Sequence, residues 1–296
     1  MKYSQLSDLA AALEDHDFCI VRQKVMLIEA MTGGVFEQRN TYTVFSPDKE
    51  ELLVGKERST FTNRCLCNPL HSLTVELSRG DKVLYTAERP GLCCAKPCLC
   101  CCACTDNCTD TMVLHEGLVT GTPGSLQAPS PILMIRQEKS CESPFNPALE
   151  VMPANGKGGF DSATHMIRGP ACFGGCVELC CESKWDISVK GTSSSRGRIV
   201  KVTPKNLGDL AREMTTDADV YRLEFSDLEA DAKAALLTSV LLVDYMFFEQ
   251  DLGVCKPTHS NDGCGCSTTL FNWYCCGCIC PCGCSTGNND TKHVVD

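Results

Sequence analysis

The sequence predicts a mainly β protein, a closed antiparallel β-barrel of about twelve strands around a C-terminal hydrophobic helix. Three observations predict it. Short runs rich in β-branched and aromatic residues follow one another from Ile20 to Phe225, turn residues separate them, and one long apolar stretch comes after the last. Strand spacing by itself fits a sandwich or a barrel. The barrel also offers a lumen in which the apolar helix is buried, and it leaves no open sheet edge.

In chain order, Leu6, Leu9, Ala10 and Leu13 fall at helical spacing, so residues 4–15 read as a short amphipathic helix packed on the domain. The strand runs are Lys24–Ala30, Thr41–Phe45, Glu51–Lys56, Leu73–Leu77, Lys82–Thr86, Thr111–Leu114, Ile132–Gln137, Ala148–Met152, Thr164–Arg168, Trp185–Val189, Arg198–Val202 and Tyr221–Phe225. Thr32-Gly33-Gly34, Ser46-Pro47-Asp48, Arg79-Gly80-Asp81, Asn155-Gly156 and Gly191 punctuate them. Leu118–Pro131 and Gly191–Gly197 read as linkers.

The apolar stretch begins at Ser226, which with Glu229 has capping-box spacing, and a helix is expected over residues 227–249. From Ala234 to Phe248 it is apolar on almost every face, with Leu236, Val240, Val243, Asp244 and Phe247 as expected core positions. Such a helix is buried in protein or in lipid. It falls short of the about 20 apolar residues that cross a bilayer. Asp244 is also expensive in hydrocarbon unless partnered, which places the helix in the barrel. The domain expectation is an N-terminal segment 1–19, a barrel domain 20–250 and a Cys- and Gly-rich tail 251–296 without periodicity, outside the barrel.

Composition narrows the function. A net charge of −10 gives no support for nucleic-acid binding and argues against general adhesion to anionic lipid. The acidic start has no long apolar core and does not read as a secretory signal. Without one, the 25 cysteines point to metal binding, acylation or buried thiols rather than a disulfide scaffold. The six histidines are scattered, and no G-x-S-x-G, Walker A or H-E-x-x-H occurs, so no catalytic residue is nominated and no covalent chemistry is expected.

Several blocks carry a resemblance: M-T-G-G-V-F-E at 31–37 with Asn40 and Tyr42, A-E-R-P at 87–90 before the Cys cluster at 93–104, and R-G-P-A-C at 168–172 with Cys180 and Cys181. The clearest is T-D-A-D at 216–219 followed by the helix ending V-D-Y-M-F-F-E at 243–249. In this order, and over roughly residues 3–250, the chain resembles the phospholipid scramblases, which share the tubby-like barrel fold. The resemblance implies a twelve-stranded barrel around the C-terminal helix. It also implies calcium-dependent, ATP-independent, bidirectional movement of phospholipids between leaflets, at the cytoplasmic face of the plasma membrane. The reading from another class is a membrane-tethered adaptor that binds acidic lipid or partner proteins without moving lipid.

The resemblance places a calcium loop at Asp217, Asp219 and Tyr221, with Asp227 and Glu229 beyond. Calcium takes six to eight oxygen ligands. An EF-hand is rejected, because Arg222 stands at the turn-glycine position and Leu228 at the twelfth. Tyr221–Phe225 reads equally as a strand whose alternate residues share a face.

For the cysteines, the resemblance implies palmitoylation at Cys98, Cys100, Cys101, Cys102 and Cys104. Thioesterified acyl chains suit a chain of net negative charge, since two or more hold a membrane stably. Zinc is the competing reading, at C-x-x-C spacings within 98–104 or jointly with Cys172, Cys176, Cys180 and Cys181. The run Y-C-C-G-C-I-C-P-C-G-C at 274–284, after Phe271 and Trp273, raises the same choice again.

Lys184, Lys190, Arg196, Arg198, Lys201 and Lys205 gather around one acid, Asp186. They read as a solvated face or as a patch for an acidic lipid head group, a phosphoinositide by the resemblance.

Overall fold

The structure, a computed structural model, describes residues 7–25, 40–59, 70–92, 103–126, 131–157, 159–203, 219–225, 228–248, 256–260 and 263–286. A helix, α1 (Ser7–Leu13), leads into the barrel strands β1 (Phe18–Val25), β2 (Asn40–Phe45), β3 (Glu51–Arg58), β4 (Leu73–Arg79), β5 (Lys82–Arg89) and β6 (Thr111–Glu116). β7 (Pro131–Gln137), β8 (Ala148–Pro153) and β9 (His165–Arg168) follow, then a two-residue strand off the barrel, β10 (Cys172–Phe173). β11 (Ser183–Val189), β12 (Ser195–Lys201) and β13 (Val220–Phe225) complete the wall. Successive wall strands pair antiparallel, and β1 closes the ring by pairing with both β2 and β13, through Val25↔Asn40 and Phe18↔Glu224.

The wall follows the period of two along each strand. Val21 and Cys19, Leu73 and Val75, Tyr85 and Ala87, Leu149 and Val151, Tyr221 and Leu223 are buried inside. Eleven of the expected runs fall on strands of this wall; the twelfth, Lys24–Ala30, meets β1 only at Lys24 and Val25, and its remainder lies outside the described residues. β1 begins earlier than its run, because polar Gln23 takes an inward position and hid the alternation of Cys19 and Val21. Outward positions of β1 and β11–β13 carry Arg22, Lys24, Lys184, Asp186, Arg198, Arg222 and Glu224. A lipid-crossing barrel would carry an apolar band there.

The helix α2 (Ala230–Val243) fills the lumen, continued by a π turn over Asp244–Phe248. Ala234, Ala235, Leu236, Val240, Leu242 and Val243 lie at 0 % exposure, and contacts reach β13 on one side and β6–β8 on the other. Each large aliphatic side chain buried this way contributes about 1.5–3 kcal/mol. No helix among the described residues is long and apolar enough to cross a membrane.

The helix start differs from expectation. Glu229 is the N-cap, in extended conformation and without a side-chain cap bond, so it cannot act as the third residue of a capping box with Ser226. Ser226 lies outside the described residues. Leu228 remains non-helical because it packs on the core beside Gly197. The first turn is fastened elsewhere: buried Lys233 donates to the carbonyls of Leu13, Glu14 and His16, capping the end of α1.

Two further segments depart from the sequence reading. Residues 117–126 are no linker but a strap across the outer face of β4–β6. Thr86 donates to the Gly117 carbonyl at 2.6 Å, Gly124 donates to Thr74 at 3.1 Å and Arg58 to the Val119 carbonyl at 2.9 Å. Gly191–Gly197 is the tip of the β11–β12 hairpin and enters β12 at Ser195.

The tail is ordered as β14 (Lys256–Ser260), β15 (Gly263–Cys275) and β16 (Cys278–Thr286). β15 pairs with β14, β16 and β10, so the tail docks on the barrel. A two-residue turn, Cys276-Gly277, joins β15 to β16 with both residues at positive φ, as type I′ hairpins require.

Candidate functional site

The up-and-down order sorts the connections. One end of the barrel carries the connections 46–50, 80–81, 117–130, 154–164 and 190–194, of which residues 117–126 form the strap over β4–β6. The other, called the loop end below, carries the connections 26–39, 59–72, 90–110, 138–147, 169–182 and 202–219. The resemblance-bearing blocks that fall on described residues converge there, around the C-terminal end of α2.

Asp244 is the hub. It sits at 0 % exposure on the π turn and accepts hydrogen bonds from Tyr42 at 2.6 Å and Tyr221 at 2.5 Å. Burial first, then repulsion from Asp219, pushes its carboxyl up to about 7, against the pull of the two phenols and Lys201. Burial first, then the charges of Asp244 and Asp219, raise the Tyr221 phenol. Lys201, inward on β12, meets Glu178 at 3.0 Å and Asp219 at 3.1 Å, and its ammonium lies 4.1 Å from the Phe248 ring centroid. A polar chain therefore runs from the loop-end surface to the helix.

A second set lies beside it. Arg89 of A-E-R-P pairs with Asp110 through two contacts of 2.8 and 3.1 Å and lies over the Tyr245 ring at 5.8 Å. Tyr245 donates to Glu57 at 3.0 Å. Gln137 accepts from the Asp110 amide and donates to the Tyr274 hydroxyl at 3.1 Å, tying the tail to the barrel. In R-G-P-A-C, a Cβ on Gly169 would stand 2.6 Å from the Trp185 ring, so only glycine admits that packing. Trp185 then stacks at 4.5 Å on Phe247, with Phe173, Phe248 and Tyr274 around it.

The five expected core positions of the helix, Leu236, Val240, Val243, Asp244 and Phe247, are all buried. Of the proposed calcium set, the described members Asp219 and Tyr221 lie apart from Glu229. Asp217 and Asp227 lie outside the described residues. Strand β13 holds Asp219 and Glu229 at opposite ends of the barrel, since six extended residues span about 20 Å. Tyr221 points inward to Asp244, and the Asp219 carboxylate is engaged by Lys201 and Tyr221. At the Asp219 end the described members thus offer one carboxylate, already paired, where calcium needs several oxygens. They do not fit the ion.

The basic patch is dispersed as well. Lys201 is interior, Lys190 pairs with Glu150, Arg198 with Asp186 at 2.8 Å, and Lys184 with Glu182 at 3.7 Å. Arg196 is exposed at the opposite end, in the β11–β12 hairpin, and Lys205 lies outside the described residues. Opposite charges drawn from neighbouring strands neutralise what one-dimensional spacing showed as a cluster.

Cys98, Cys100, Cys101 and Cys102 lie outside the described residues, but Cys104 is exposed at the loop end, 3.2 Å from the Ser140 hydroxyl. The Ser140 amide donates to the Ala103 carbonyl, the Cys276 amide to Pro144 and the Tyr274 amide to Ala171. Described cysteines from three stretches distant in sequence thus share the loop end: Cys104 and Cys108, Cys172–Cys181, and those at the β15–β16 turn. Among the described residues no three His, Cys, Asp or Glu side chains group to hold a metal ion. Cys19, by contrast, is sealed in the lumen, where burial pushes its thiol up to about 12 and leaves it inert.

Sequence reasoning held Arg89 only within A-E-R-P and Tyr274 only at the head of the tail's cysteine run, and it missed Glu57 and Asp110 as members of the site. Nothing in their local spacing marks them. The tail strands did leave a signal, the alternation Cys278, Cys280, Cys282, Cys284 after a two-residue turn.

A family model described as Scramblase matches residues 4–127 and 160–250. Human phospholipid scramblase 1 is 27% identical over 240 residues, covering 80% of this chain and 64% of its own. Bovine (Bos taurus) phospholipid scramblase 2 is 26% identical over 239 residues, covering 80% of this chain and 70% of its own. Human phospholipid scramblase family member 5 is 26% identical over 242 residues, covering 81% of this chain and 77% of its own. No solved structure matches the chain.

Proposed function

The chain belongs to the scramblase family, and on that premise we propose that it moves phospholipids in both directions between the leaflets of a bilayer, without ATP. The family match across the barrel and its helix carries the reading, because the matched blocks are those that build the loop end. The chain spans 64% of the human scramblase 1 that it resembles, so the activity is inferred for this chain from its barrel domain.

In this reading the barrel works from the membrane surface. Its charged outer wall keeps to water, and the loop end, with exposed Cys104, Cys180 and Cys181, meets the lipid. Acylation of the 98–104 run would tether it there, since a second acyl chain turns reversible binding into stable anchoring. The polar chain Lys201–Asp219–Tyr221–Asp244 couples that end to the helix, so a pull on the 202–219 connection reaches α2. No covalent step on the lipid is required.

Calcium dependence is a separate proposal that rests on the resemblance. The described residues do not fit the ion, and no step is routed through it. Binding of an acidic head group is likewise a proposal, tested by flotation of vesicles with and without phosphoinositide.

The experiment is reconstitution of the full chain in vesicles holding a fluorescent phospholipid, with dithionite added outside. Movement of lipid lets dithionite quench the inner leaflet as well as the outer. Quenching no deeper than in empty vesicles would overturn the reading and favour the tethered adaptor.

A further inference from the structure

The tail sheet has two unlike faces. Toward the barrel it turns Asn272 and Tyr274, both buried. Away from it, alternation along β16 places Cys278, Cys280, Cys282 and Cys284 in one row. The register Phe271↔Cys282, Trp273↔Cys280 and Cys275↔Cys278 sets two aromatic residues and a further cysteine beside that row. Trp273 is 46% exposed, and Cys280 and Cys284 are exposed.

The surroundings are apolar too. Leu270 is 40% exposed. Phe145, 60% exposed, follows the Pro144 carbonyl that accepts from Cys276. Leu179, 37% exposed, ends the 3₁₀ turn Gly175–Leu179 that packs against β15. From Gly263 to Thr286 the sequence contains no charged residue, in a chain whose net charge is −10. A tail sheet without charged residues, with exposed apolar side chains of two other segments near it, suits a lipid surface, with tryptophan at the water–lipid boundary.

Other occupants fit less well. Thiols two residues apart on a strand stand about 6.6 Å apart, whereas two sulfurs each held at about 2.3 Å by one zinc lie within about 4.6 Å of each other. Strand addition by a second copy would use the free edge of β16, where Pro281 lacks an N–H to donate.

We propose that the outer face of the tail sheet docks on a membrane and that Cys280 and Cys284 are S-acylated there. In the step, a cysteine thiolate attacks the carbonyl carbon of a long-chain acyl-coenzyme A. The bond to the coenzyme sulfur breaks as the new C–S bond forms, and the proton lost by the cysteine ends on the coenzyme thiol. No oxidant or reductant is needed. A row on a rigid strand presents more than one acyl chain to a single leaflet, which converts reversible contact into stable anchoring. The inference deepens the membrane reading above and rests on the chain working at a bilayer, not on its moving lipid.

The test uses the full chain expressed in cells, where acyl-coenzyme A is supplied. One variant carries Ser at Cys93, Cys94, Cys98, Cys100, Cys101, Cys102 and Cys104; a second carries Ser at Cys278, Cys280, Cys282 and Cys284. Hydroxylamine-dependent thiol capture is combined with mass measurement of the peptide spanning 263–286. The wild type and the first variant are expected to show acyl mass on that peptide. The second is expected to lose it, and its membrane-bound fraction to fall several-fold with unchanged thermal melting. Tail peptides carrying only unmodified thiols, disulfides or zinc would overturn the proposal. Dithionite quenching of the wild type is read separately. Lipid movement with an unacylated tail sinks this inference alone, and an acylated tail without lipid movement sinks the transport reading alone.

Discussion

The Tyr221 phenol and the Asp244 carboxylate, one from the last wall strand and one from the end of the enclosed helix, meet at 2.5 Å inside the barrel. With Tyr42 at 2.6 Å, they make a polar knot against the aliphatic and aromatic side chains of the lumen. Removing one member exposes what the other two need.

Asp244→Ala takes from the buried phenols of Tyr42 and Tyr221 the hydrogen bond each makes to that carboxylate, leaving Tyr221 the longer contact to Asp219 at 3.4 Å. Each such loss costs about 1–3 kcal/mol, so the variant is expected to lose about 3–5 kcal/mol by urea unfolding. Asp244→Asn keeps an acceptor and is expected to cost far less. Equal losses for the two would show that the hydrogen bonds do not matter.

The raised carboxyl of Asp244 gives a pH dependence with a definite sign. Between the ordinary value, 3.8, and about 7 the folded chain keeps a proton that the unfolded chain has lost. Stability from this group is therefore fully present below about pH 4 and declines as pH rises, levelling off above about 7. The slope is at most about 1.4 kcal/mol per pH unit. Asp244→Asn should flatten it, and Asp219→Asn should move the transition to lower pH by removing the nearby negative charge. Tyr42, Tyr221 and Lys201 face the same carboxyl and remain in place in both variants. Unfolding midpoints measured from pH 4 to 8 decide it.

Gly169→Ala drives a methyl into the Trp185 ring, with 2.6 Å available. Overpacking of this kind costs about 1–3 kcal/mol. A lower melting temperature and a changed tryptophan near-ultraviolet dichroism are expected. An unaltered spectrum would mean the ring does not pack there.

Lys233→Met removes the ammonium that holds the carbonyls of Leu13, Glu14 and His16. Residues of α1 should then exchange amide hydrogen faster, while the wall strands keep their protection. Uniform loss of protection would contradict a local latch.

How much of this was legible in sequence varied with range. The wall strands were readable because burial on one face imposes alternation that local composition records. The lumen helix was readable from Asp244 in a stretch too short to cross lipid. The polar knot was not, since Tyr42 and Asp244 meet only once the ring has closed. The basic cluster misled for the same reason: Glu150 and Glu178, which neutralise Lys190 and Lys201, arrive from other segments. The calcium acids straddle Tyr221–Phe225, which alternation already read as a strand, but spacing alone does not show that this strand carries Asp219 and Glu229 to opposite ends of the barrel. The tail read as irregular because glycine and cysteine carry little strand propensity, although Thr268–Tyr274 does.

Glu229 lies at the far end of the barrel from Asp219. Glu229→Gln is therefore expected to leave any calcium heat measured by titration unchanged. Loss of that heat would restore a shared site. The Asp217→Ala/Asp219→Ala double variant is the companion measurement for the loop itself.

The central claim is that α2 is the core of the barrel and that lipid is held through cysteines at the loop end. Alkaline extraction of cell membranes, before and after hydroxylamine removes thioesters, tests it most directly. The chain is expected in the membrane pellet before treatment and in the supernatant after it. Protein that stays in the pellet once its thioesters are gone would mean that the chain crosses the bilayer, and would contradict the claim.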